Sequence, residues 1–251
     1  MKKLEGRVAV VTGGDRGIGK GICLRFAKEG ANIVFTYFNS EEKAKATLEE
    51  IKALGVKAIA VKVDVRNEEE IIQMRDIVVE EFGRINILVN NAGIYLAEVP
   101  VVDMPVEDWD NTINTDLRGV FLMVKHFGKL IETEPTRGKV INISSELSLI
   151  GRAGGAHYCA AKSAVNGFTK SIALEFAPEI LVNAIAPGPV ETDMIMAYDD
   201  PEWIENEKNQ IPLKRFGTVG EIAALAAFLA SDEGDFFCGQ LISPNGGAVL
   251  H

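Results

Sequence analysis

Cysteine and histidine are scarce in this chain of 251 residues, which contains three of each. The cysteines, Cys23, Cys159 and Cys238, are far apart, odd in number and form no Cys-x-x-Cys pair, which argues against a disulfide framework. The histidines lack the spacing of metal ligands. We therefore expect no metal site, and we expect reduced thiols, which are typical of the cytoplasm.

Long apolar runs are also missing. The longest, Ile222 to Ala230, has nine residues, whereas a membrane-spanning helix needs about 20. The run that follows the two N-terminal lysines, Val8 to Val11, is shorter than the apolar part of a secretory signal, which has about 7–15 residues. The sequence therefore predicts a cytoplasmic protein that does not bind membranes.

Positive charge is in deficit. The chain has 26 Lys and Arg residues against 36 Asp and Glu residues, for a formal net charge of -10. Proteins that bind nucleic acid phosphates carry a basic surface, so we expect no nucleic acid partner. The partner we predict is a small-molecule substrate. With 47% hydrophobic and 25% charged residues, the composition is that of an ordinary globular protein.

Short β-branched segments alternate with helix-length segments along the chain. The strand segments are continuously apolar, which is typical of parallel strands that are covered on both faces. The pattern predicts a single α/β domain over residues 1–251, a doubly wound Rossmann domain with a parallel seven-stranded sheet flanked by helices. Strands are predicted at 7–12, 32–37, 57–63, 85–90, 139–144, 180–186 and 240–243, and helices at 20–29, 41–54, 68–82, 107–132, 157–176 and 219–230.

One region interrupts this alternation. Residues 187–215 are rich in Pro, Asp and Met and have only weak periodicity. Long insertions in compact domains are usually lids or binding loops, so we predict a substrate loop at about 189–215. A surface excursion with a short helix is the alternative.

The first predicted strand leads into a glycine-rich loop, TGGDRGIGKGI. Glycines between a strand and a helix permit a tight turn and let the backbone approach a pyrophosphate, while the helix N-terminus supplies N–H donors. The loop therefore predicts a dinucleotide-binding site. Its candidate contacts are Gly13, Asp15, Arg16, Gly17, Ile18 and Gly19.

The end of the second predicted strand indicates which dinucleotide is bound. Folds of this kind that bind NAD place an acidic residue there for the ribose 2′-hydroxyl. Here the position holds Tyr37, and Asn39 and Ser40 follow closely. Arg16 is available for a 2′-phosphate, with hydrogen bonds from Asn39 and Ser40, so NADP(H) is favoured. NAD(H) stays open because Asp15 is adjacent to Arg16 and two glutamates follow Ser40.

Seven motifs then occur in order: TGGDRGIG, Asp64 in VDV, NNAG from Asn90, Asn114, ISS from Ile143, YCAAK from Tyr158, and Pro187–Gly188. Together they resemble the short-chain dehydrogenases/reductases of about 250 residues, over essentially the whole chain. Within that family the sequence is most similar to 3-oxoacyl-carrier-protein reductases and to related sugar and polyol dehydrogenases.

The resemblance implies a catalytic tetrad of Asn114, Ser145, Tyr158 and Lys162. Ser145 is preferred over Ser144 because the serine of the family lies about thirteen residues before the tyrosine. The resemblance also implies a homotetramer, with the helix at 157–176 and the C-terminal strand at interfaces. It places Asp64 and Val65 at the adenine edge, Asn91, Ala92 and Gly93 in backbone packing beside the cofactor, and Pro187, Gly188, Val190 and Thr192 toward the nicotinamide, with Tyr158 and Lys162 also contacting the cofactor.

These residue types suit carbonyl reduction. A tyrosine has a reference pKa near 10, and a nearby ammonium favours the phenolate. Lys162 lies four residues after Tyr158, on the same face of a helix, and is expected to hold the ribose hydroxyls as well. Ser145 is expected to bond the substrate oxygen, and Asn114 to support a water that leads from Lys162 toward solvent.

The expected activity is NAD(P)-dependent hydride transfer between a ketone and a secondary alcohol. Reduction of 3-oxoacyl thioesters with NADPH leads, sugar or polyol dehydrogenation is the alternative, and a catalytically silent cofactor sensor or scaffold is an alternative of another class. Glu146, directly after Ser145, either faces the substrate or points to solvent.

Overall fold

A computed structural model describes residues 2–133, 135–196 and 200–250. Within these residues, seven parallel strands form one sheet in the order β3-β2-β1-β4-β5-β6-β7. This confirms the predicted doubly wound sheet. The strands are β1 Val8–Val11, β2 Asn32–Tyr37, β3 Ala58–Lys62, β4 Ile87–Asn90, β5 Gly138–Ile143, β6 Ile180–Ile185 and β7 Leu241–Ile242.

Helices connect the strands and cover both faces of the sheet. All neighbouring strands of the sheet pair in parallel, as expected for a fold built from strand–helix–strand units. The helices are α1 Gly17–Lys28, α2 Glu41–Lys52, α3 Glu68–Phe82, α4 Val106–Ile113, α5 Gly119–Phe127, α6 Leu147–Ile150, α7 Ala156–Phe176, α8 Asp193–Met196, α9 Pro201–Gln210 and α10 Val219–Ala230.

Two apolar clusters, one on each side of the sheet, form the core. Alternate residues of β1 divide between them, since Ala9 and Val11 join one cluster and Val8 and Val10 the other. Side chains of α1 and α10 complete the first cluster, and side chains of α3, α5 and α7 complete the second. Strands β1, β4, β5 and β6 are buried along their whole length, which accounts for the apolar character of the centre of the sheet.

The helix predicted at 107–132 differs from expectation. After α4 the helical path passes through a π-helical turn at Asn114–Arg118, continues as α5 and ends in a 3₁₀ turn at Gly128–Leu130. A π turn contains one more residue than an α turn and changes the direction in which the following side chains project. It occurs here beside the predicted catalytic residues.

The segment at 189–215 contains more regular structure than the sequence prediction of a loop. It includes α8 and α9, and residues 197–199 lie outside the described residues. Asp200 caps α9 by accepting hydrogen bonds from the backbone amides of Glu202 and Trp203, and Pro201 takes the first helical position. These are strong signals for a helix start, although weak periodicity concealed the helix itself.

The order of strands defines where a ligand can bind. The chain moves outward from β1 through β2 to β3, then returns to the other side of β1 at β4. This change of direction leaves a crevice at the carboxyl ends of β1 and β4, the place where doubly wound sheets bind ligands. The loops after β1, β4, β5 and β6 therefore share one edge of the sheet.

None of the helices described by the structure combines the length and apolarity needed to traverse a bilayer. Within the same described ranges, no group of three His, Cys, Asp or Glu side chains is arranged to hold a metal ion.

Candidate active site

The glycine loop after β1 is too tightly folded to carry side chains at key positions. Gly13 and Gly17 have φ of +63° and +52°, in the region that favours glycine. A Cβ on Gly19 would lie 2.1 Å from the carbonyl oxygen of Gly13. The loop therefore brings its backbone close to the crevice, at the N-terminus of α1.

Residues after β4 hold this loop in place. The Thr12 hydroxyl accepts hydrogen bonds from the backbone amides of Asn91 and Ala92, each at 2.9 Å. The Asn91 side-chain amide donates to the carbonyls of Thr12, at 2.9 Å, and Gly13, at 3.0 Å. Asn91 and Ala92, predicted to pack beside the cofactor, thus shape the glycine loop itself.

The residues predicted to select the cofactor lie around the ends of β1 and β2, which pair in parallel. Arg16 is exposed, and among the described residues no carboxylate comes within ion-pairing distance of it. Tyr37 ends β2, Asn39 is exposed and Ser40 immediately precedes α2. Asp15 is buried. The guanidinium of Arg16 is thus available to an anion.

Two further residues, Arg66 and Phe38, lie beside Asp64 at the predicted adenine edge. Both side-chain oxygens of Asp64 accept hydrogen bonds from the Arg66 guanidinium, at 2.7–3.0 Å. Burial tends to raise the pKa of Asp64, but Arg66 lowers it overall. The same guanidinium lies 5.6 Å from the ring centre of Phe38. Val65, predicted with Asp64, is buried against Gly119.

Tyr158 and Lys162 project from the same face of α7 toward the crevice. The ammonium nitrogen of Lys162 lies 5.5 Å from the ring centre of Tyr158. The Tyr95 ring stands edge-on to the Tyr158 ring, with centroids 4.8 Å apart. Ser145, which follows β5, is buried, and its hydroxyl oxygen accepts a bond from the Leu147 amide at 3.2 Å.

Opposing influences act on the Tyr158 phenol. Burial raises its pKa, the charge of Lys162 lowers it, the charge of Asp116 raises it, and a hydrogen bond with Ser145 lowers it. The net direction is upward. Without a bound ligand, the Tyr158 hydroxyl therefore holds its proton more tightly than a free tyrosine does.

The residue that contacts Lys162 from the π-helical turn is Asp116, which the sequence analysis did not select. An oxygen of the Asp116 carboxylate lies 3.1 Å from the Lys162 ammonium. Asn114, two residues earlier, is partly buried, and its backbone carbonyl accepts a bond from the Gly119 amide. The sequence around Asp116, INTDLRG, mixes polar and apolar residues, so hydrophobic periodicity gave no signal for it. The role assigned to Asn114 stays a prediction.

The Ser144 hydroxyl forms hydrogen bonds with α7. It donates to the Lys162 carbonyl, at 3.1 Å, and lies 2.7 Å from the side-chain oxygen of Asn166. These bonds tie the end of β5 to α7 and occupy the Ser144 hydroxyl. The choice of Ser145 as the catalytic serine stays a prediction.

The segment after β6 lies across the crevice. The Pro187 carbonyl accepts a bond from the Glu146 amide at 3.0 Å, and Gly188 packs so closely on Asn245 that a Cβ would lie 2.8 Å from its Cα. Val190 is buried. The Thr192 side chain lies 3.6 Å from the position of a Cβ on Gly17. This segment thus reaches the glycine loop.

Glu146 does not point to solvent. Its residue surface is 7% exposed, and its Oε2 atom lies 3.0 Å from the position of a Cβ on Gly188. Among the described residues, none gives that oxygen a hydrogen bond. Burial, together with the nearby charge of Glu207, raises the pKa of Glu146 to about 7.

Ion pairs connect α9 to the rim of the crevice. The Arg152 guanidinium pairs with Glu98 at 3.0 Å and with Glu207 at 3.4 Å. The Tyr95 hydroxyl donates to Glu98 at 2.7 Å. The side chains that surround the catalytic candidates therefore come from the loops after β4, β5 and β6, including the predicted substrate loop.

Comparison with known proteins agrees with this geometry. Residues 13–249 match the family described as enoyl-(acyl carrier protein) reductase. The chain is 43% identical over 243 residues to 3-oxoacyl-[acyl-carrier-protein] reductase FabG of Staphylococcus aureus, covering 96% of this chain and 98% of the relative. It is 37% identical over 251 residues to glucose 1-dehydrogenase 2 of Bacillus subtilis, covering 100% and 97%.

A similar solved structure is that of a blue fluorescent protein from a metagenomic library in complex with NADPH. It superposes with a TM-score of 0.92 at 35% identity and covers 99% of this chain and 100% of that one. Together, the motifs, the fold and these full-length similarities show that the chain belongs to the short-chain dehydrogenase/reductase family.

Proposed function

We propose that the protein reduces a ketone to a secondary alcohol with NADPH and catalyses the reverse reaction with NADP. The observation that carries this proposal is the position of the Tyr158 phenol. It lies one helical turn from the Lys162 ammonium, with Ser145 beside it at the end of β5. This arrangement combines a proton donor, a cation and a hydrogen-bond donor at the crevice of a dinucleotide-binding fold.

The residues present fit a dinucleotide. The glycine loop leaves no room for a Cβ at Gly19, as expected where a pyrophosphate is to approach the backbone. Gly13, Asp15, Gly17 and Ile18 would form the remainder of that cradle, and Arg16, Asn39 and Ser40 would hold a 2′-phosphate. The solved relative in complex with NADPH supports this choice of cofactor. A bound nicotinamide supplies the hydride.

The side chains of the protein supply and stabilise the rest of the chemistry. In reduction, the Tyr158 hydroxyl gives its proton to the substrate oxygen, while the Ser145 hydroxyl stabilises the negative charge that develops there. The Lys162 ammonium favours the phenolate that remains. In oxidation, the same phenolate takes the proton of the alcohol.

The preferred substrate class is a 3-oxoacyl thioester. The similarity to the S. aureus 3-oxoacyl-[acyl-carrier-protein] reductase over nearly the full length of both chains supports it. One observation favours a sugar or polyol as the second candidate. Glu146 is a buried carboxyl group with an unbonded oxygen directly after Ser145, and a substrate hydroxyl is a suitable partner for it. The glucose dehydrogenase relative agrees with that alternative.

The test is a panel of substrates, with turnover measured from the absorbance of the reduced nicotinamide. The purified protein is mixed with NADPH or NADH and a short 3-oxoacyl thioester, a hydroxyketone or an unsubstituted ketone, and with NADP and glucose or a polyol. We expect the thioester to give the highest kcat/KM and NADPH to exceed NADH. No turnover with any substrate would support a silent cofactor sensor, and equal rates with NADH would overturn the cofactor preference.

We further propose a cytoplasmic homotetramer whose chain forms a single domain. One sheet joins β1 near the start of the chain to β7 near its end. The exposed apolar side chains support interfaces on α7 and near the C-terminus, because Leu174 is 86% and Phe236 100% exposed. Size-exclusion chromatography with light scattering measures the oligomeric state, and a monomer at micromolar concentration would contradict the tetramer.

A further inference from the structure

We propose that Lys43 is a second cation for the 2′-phosphate of NADP(H), and that Asp193 holds Lys43 in the free protein until the phosphate displaces it. The inference rests on the cofactor preference in the proposed function. Its test measures nucleotide binding alone, so it does not depend on turnover.

Lys43 lies close in the chain to the residues that are predicted to bind the 2′-phosphate. It belongs to the first turn of α2, which begins directly after Ser40. Its ammonium pairs at 2.5 Å with the carboxylate of Asp193, the first residue of α8. The two residues are 150 positions apart in the sequence. The ion pair therefore connects the region after β2 with the segment after β6.

The pair lies beside the glycine loop. Thr192, the residue before Asp193, lies 3.6 Å from the position of a Cβ on Gly17, the residue after Arg16. The pKa of Asp193 is lowered chiefly by Lys43 and also by the charge of Arg16. Two cations thus act on one carboxylate at the place where the sequence predicts a 2′-phosphate.

A phosphate can displace this carboxylate because the pair is exposed. The side chains of Lys43 and Asp193 are 51% and 62% exposed. Ion pairs at such positions contribute little, since water solvates both partners and ordering long side chains costs entropy. A phosphate monoester carries a charge of about −1.5 to −2 at pH 7, with three acceptor oxygens, whereas a carboxylate carries a single charge. Lys43 and Arg16 therefore bind the phosphate more strongly than they bind Asp193.

The acidic residues next to Lys43 on α2 act on another cation. Glu41 pairs with Lys45 at 2.8 Å. The pKa of Lys45 is raised first by its hydrogen bond with Glu41 and also by the charge of Glu42. The repulsion that these two glutamates would exert on a phosphate is thereby reduced, and Asp193 is the carboxylate that occupies Lys43.

The experiment compares two nucleotide fragments that differ by the 2′-phosphate, 2′,5′-ADP and 5′-AMP, by isothermal titration calorimetry. We expect Asp193→Asn to tighten the binding of 2′,5′-ADP about two- to fivefold, because the competing carboxylate is removed. Binding of 5′-AMP should change little. Glu191→Gln is the matched control for net charge, because Glu191 is exposed in the same segment and its charge acts on Arg215. It should leave both affinities unchanged.

Lys43→Met should weaken the binding of 2′,5′-ADP about three- to tenfold and leave that of 5′-AMP unchanged. Lys45→Met is its control on the same helix and should have a much smaller effect, because Lys45 pairs with Glu41. In the double variant K43M/D193N, the gain from D193N should fall to less than half, since Asp193 no longer has Lys43 to occupy.

Two results would overturn the proposal while NADP(H) and ketone reduction stand. One is a K43M variant that keeps the full preference of the wild type for 2′,5′-ADP. The other is a D193N variant without tighter binding of 2′,5′-ADP, or with a gain that is equal in the presence and the absence of Lys43. A wild type that binds the two fragments equally would instead overturn the cofactor preference, and this inference with it.

Discussion

The ammonium nitrogen of Lys162 lies 5.5 Å from the ring centre of Tyr158, one turn along the same face of α7. The cation is close enough to stabilise a phenolate, yet it leaves the hydroxyl available to a substrate. Burial and Asp116 act against this stabilisation, and the net direction of the Tyr158 pKa is upward. A bound cofactor and substrate therefore meet a protonated phenol, the form required for reduction.

Tyr158→Phe should lower kcat by about 10²–10⁴-fold, because it removes the proton donor and acceptor. NADPH affinity should change little, because the ring is retained. Stopped-flow or steady-state absorbance measures the rate, and nucleotide fluorescence measures binding. Tyr95→Phe, at the adjacent ring, is the matched control and should retain most of the activity. Turnover close to that of the wild type in Tyr158→Phe would eliminate the assigned role.

Gly19→Ala should distort the glycine loop. The added Cβ would lie 2.1 Å from the Gly13 carbonyl and 2.5 Å from the Asn91 side-chain amide. We expect the Kd for NADPH to rise about tenfold or more and Tm to fall. Gly220→Ala, on α10, meets only one atom within 4 Å, at 3.9 Å, and should leave affinity unchanged. Unaltered NADPH binding in Gly19→Ala would show that the loop does not hold the pyrophosphate.

Arg16→Ala should reduce the preference for NADPH. A hydrogen bond to a charged group contributes about 1.5–3 kcal/mol, which corresponds to about tenfold or more in affinity. The KM for NADPH should therefore rise by that factor, while the KM for NADH changes little. Arg75→Ala is the control, because that guanidinium pairs with Asp76 on α3. An equal rise for both nucleotides would argue against contact with a 2′-phosphate.

Glu146→Gln should alter stability in a pH-dependent way. In the folded protein the pKa of Glu146 is raised from the ordinary value of 4.5 to about 7. The folded state therefore binds the proton more tightly, and the stability contributed by Glu146 falls as pH rises between these two values. We expect glutamine to raise Tm relative to the wild type at about pH 8 and to give a smaller gain at about pH 5.

Differential scanning fluorimetry at the two pH values provides this comparison. Glu202→Gln, at an exposed position on α9, is the control and should show no such dependence. A pH-independent difference between Glu146→Gln and the wild type would contradict the raised pKa.

The sequence determined the main features of this molecule. Continuously apolar strands alternating with helices specify a parallel sheet that is covered on both faces. The glycines of the loop after β1 are required by backbone conformation, a local property, and so could be recognised from residue type and spacing. Tyr158 and Lys162 likewise lie four residues apart in one helix, so their proximity follows from helical periodicity alone.

Tertiary structure decided what depends on approach between distant segments. Asp116 reaches Lys162 because a π-helical turn changes the side-chain direction within a stretch that the sequence predicted as regular helix. Glu146 is buried because the segments that contain Gly188 and Asn245 close over it. Neither environment is encoded by local spacing, since burial and charge pairing arise only when the loops after separate strands meet at one edge of the sheet.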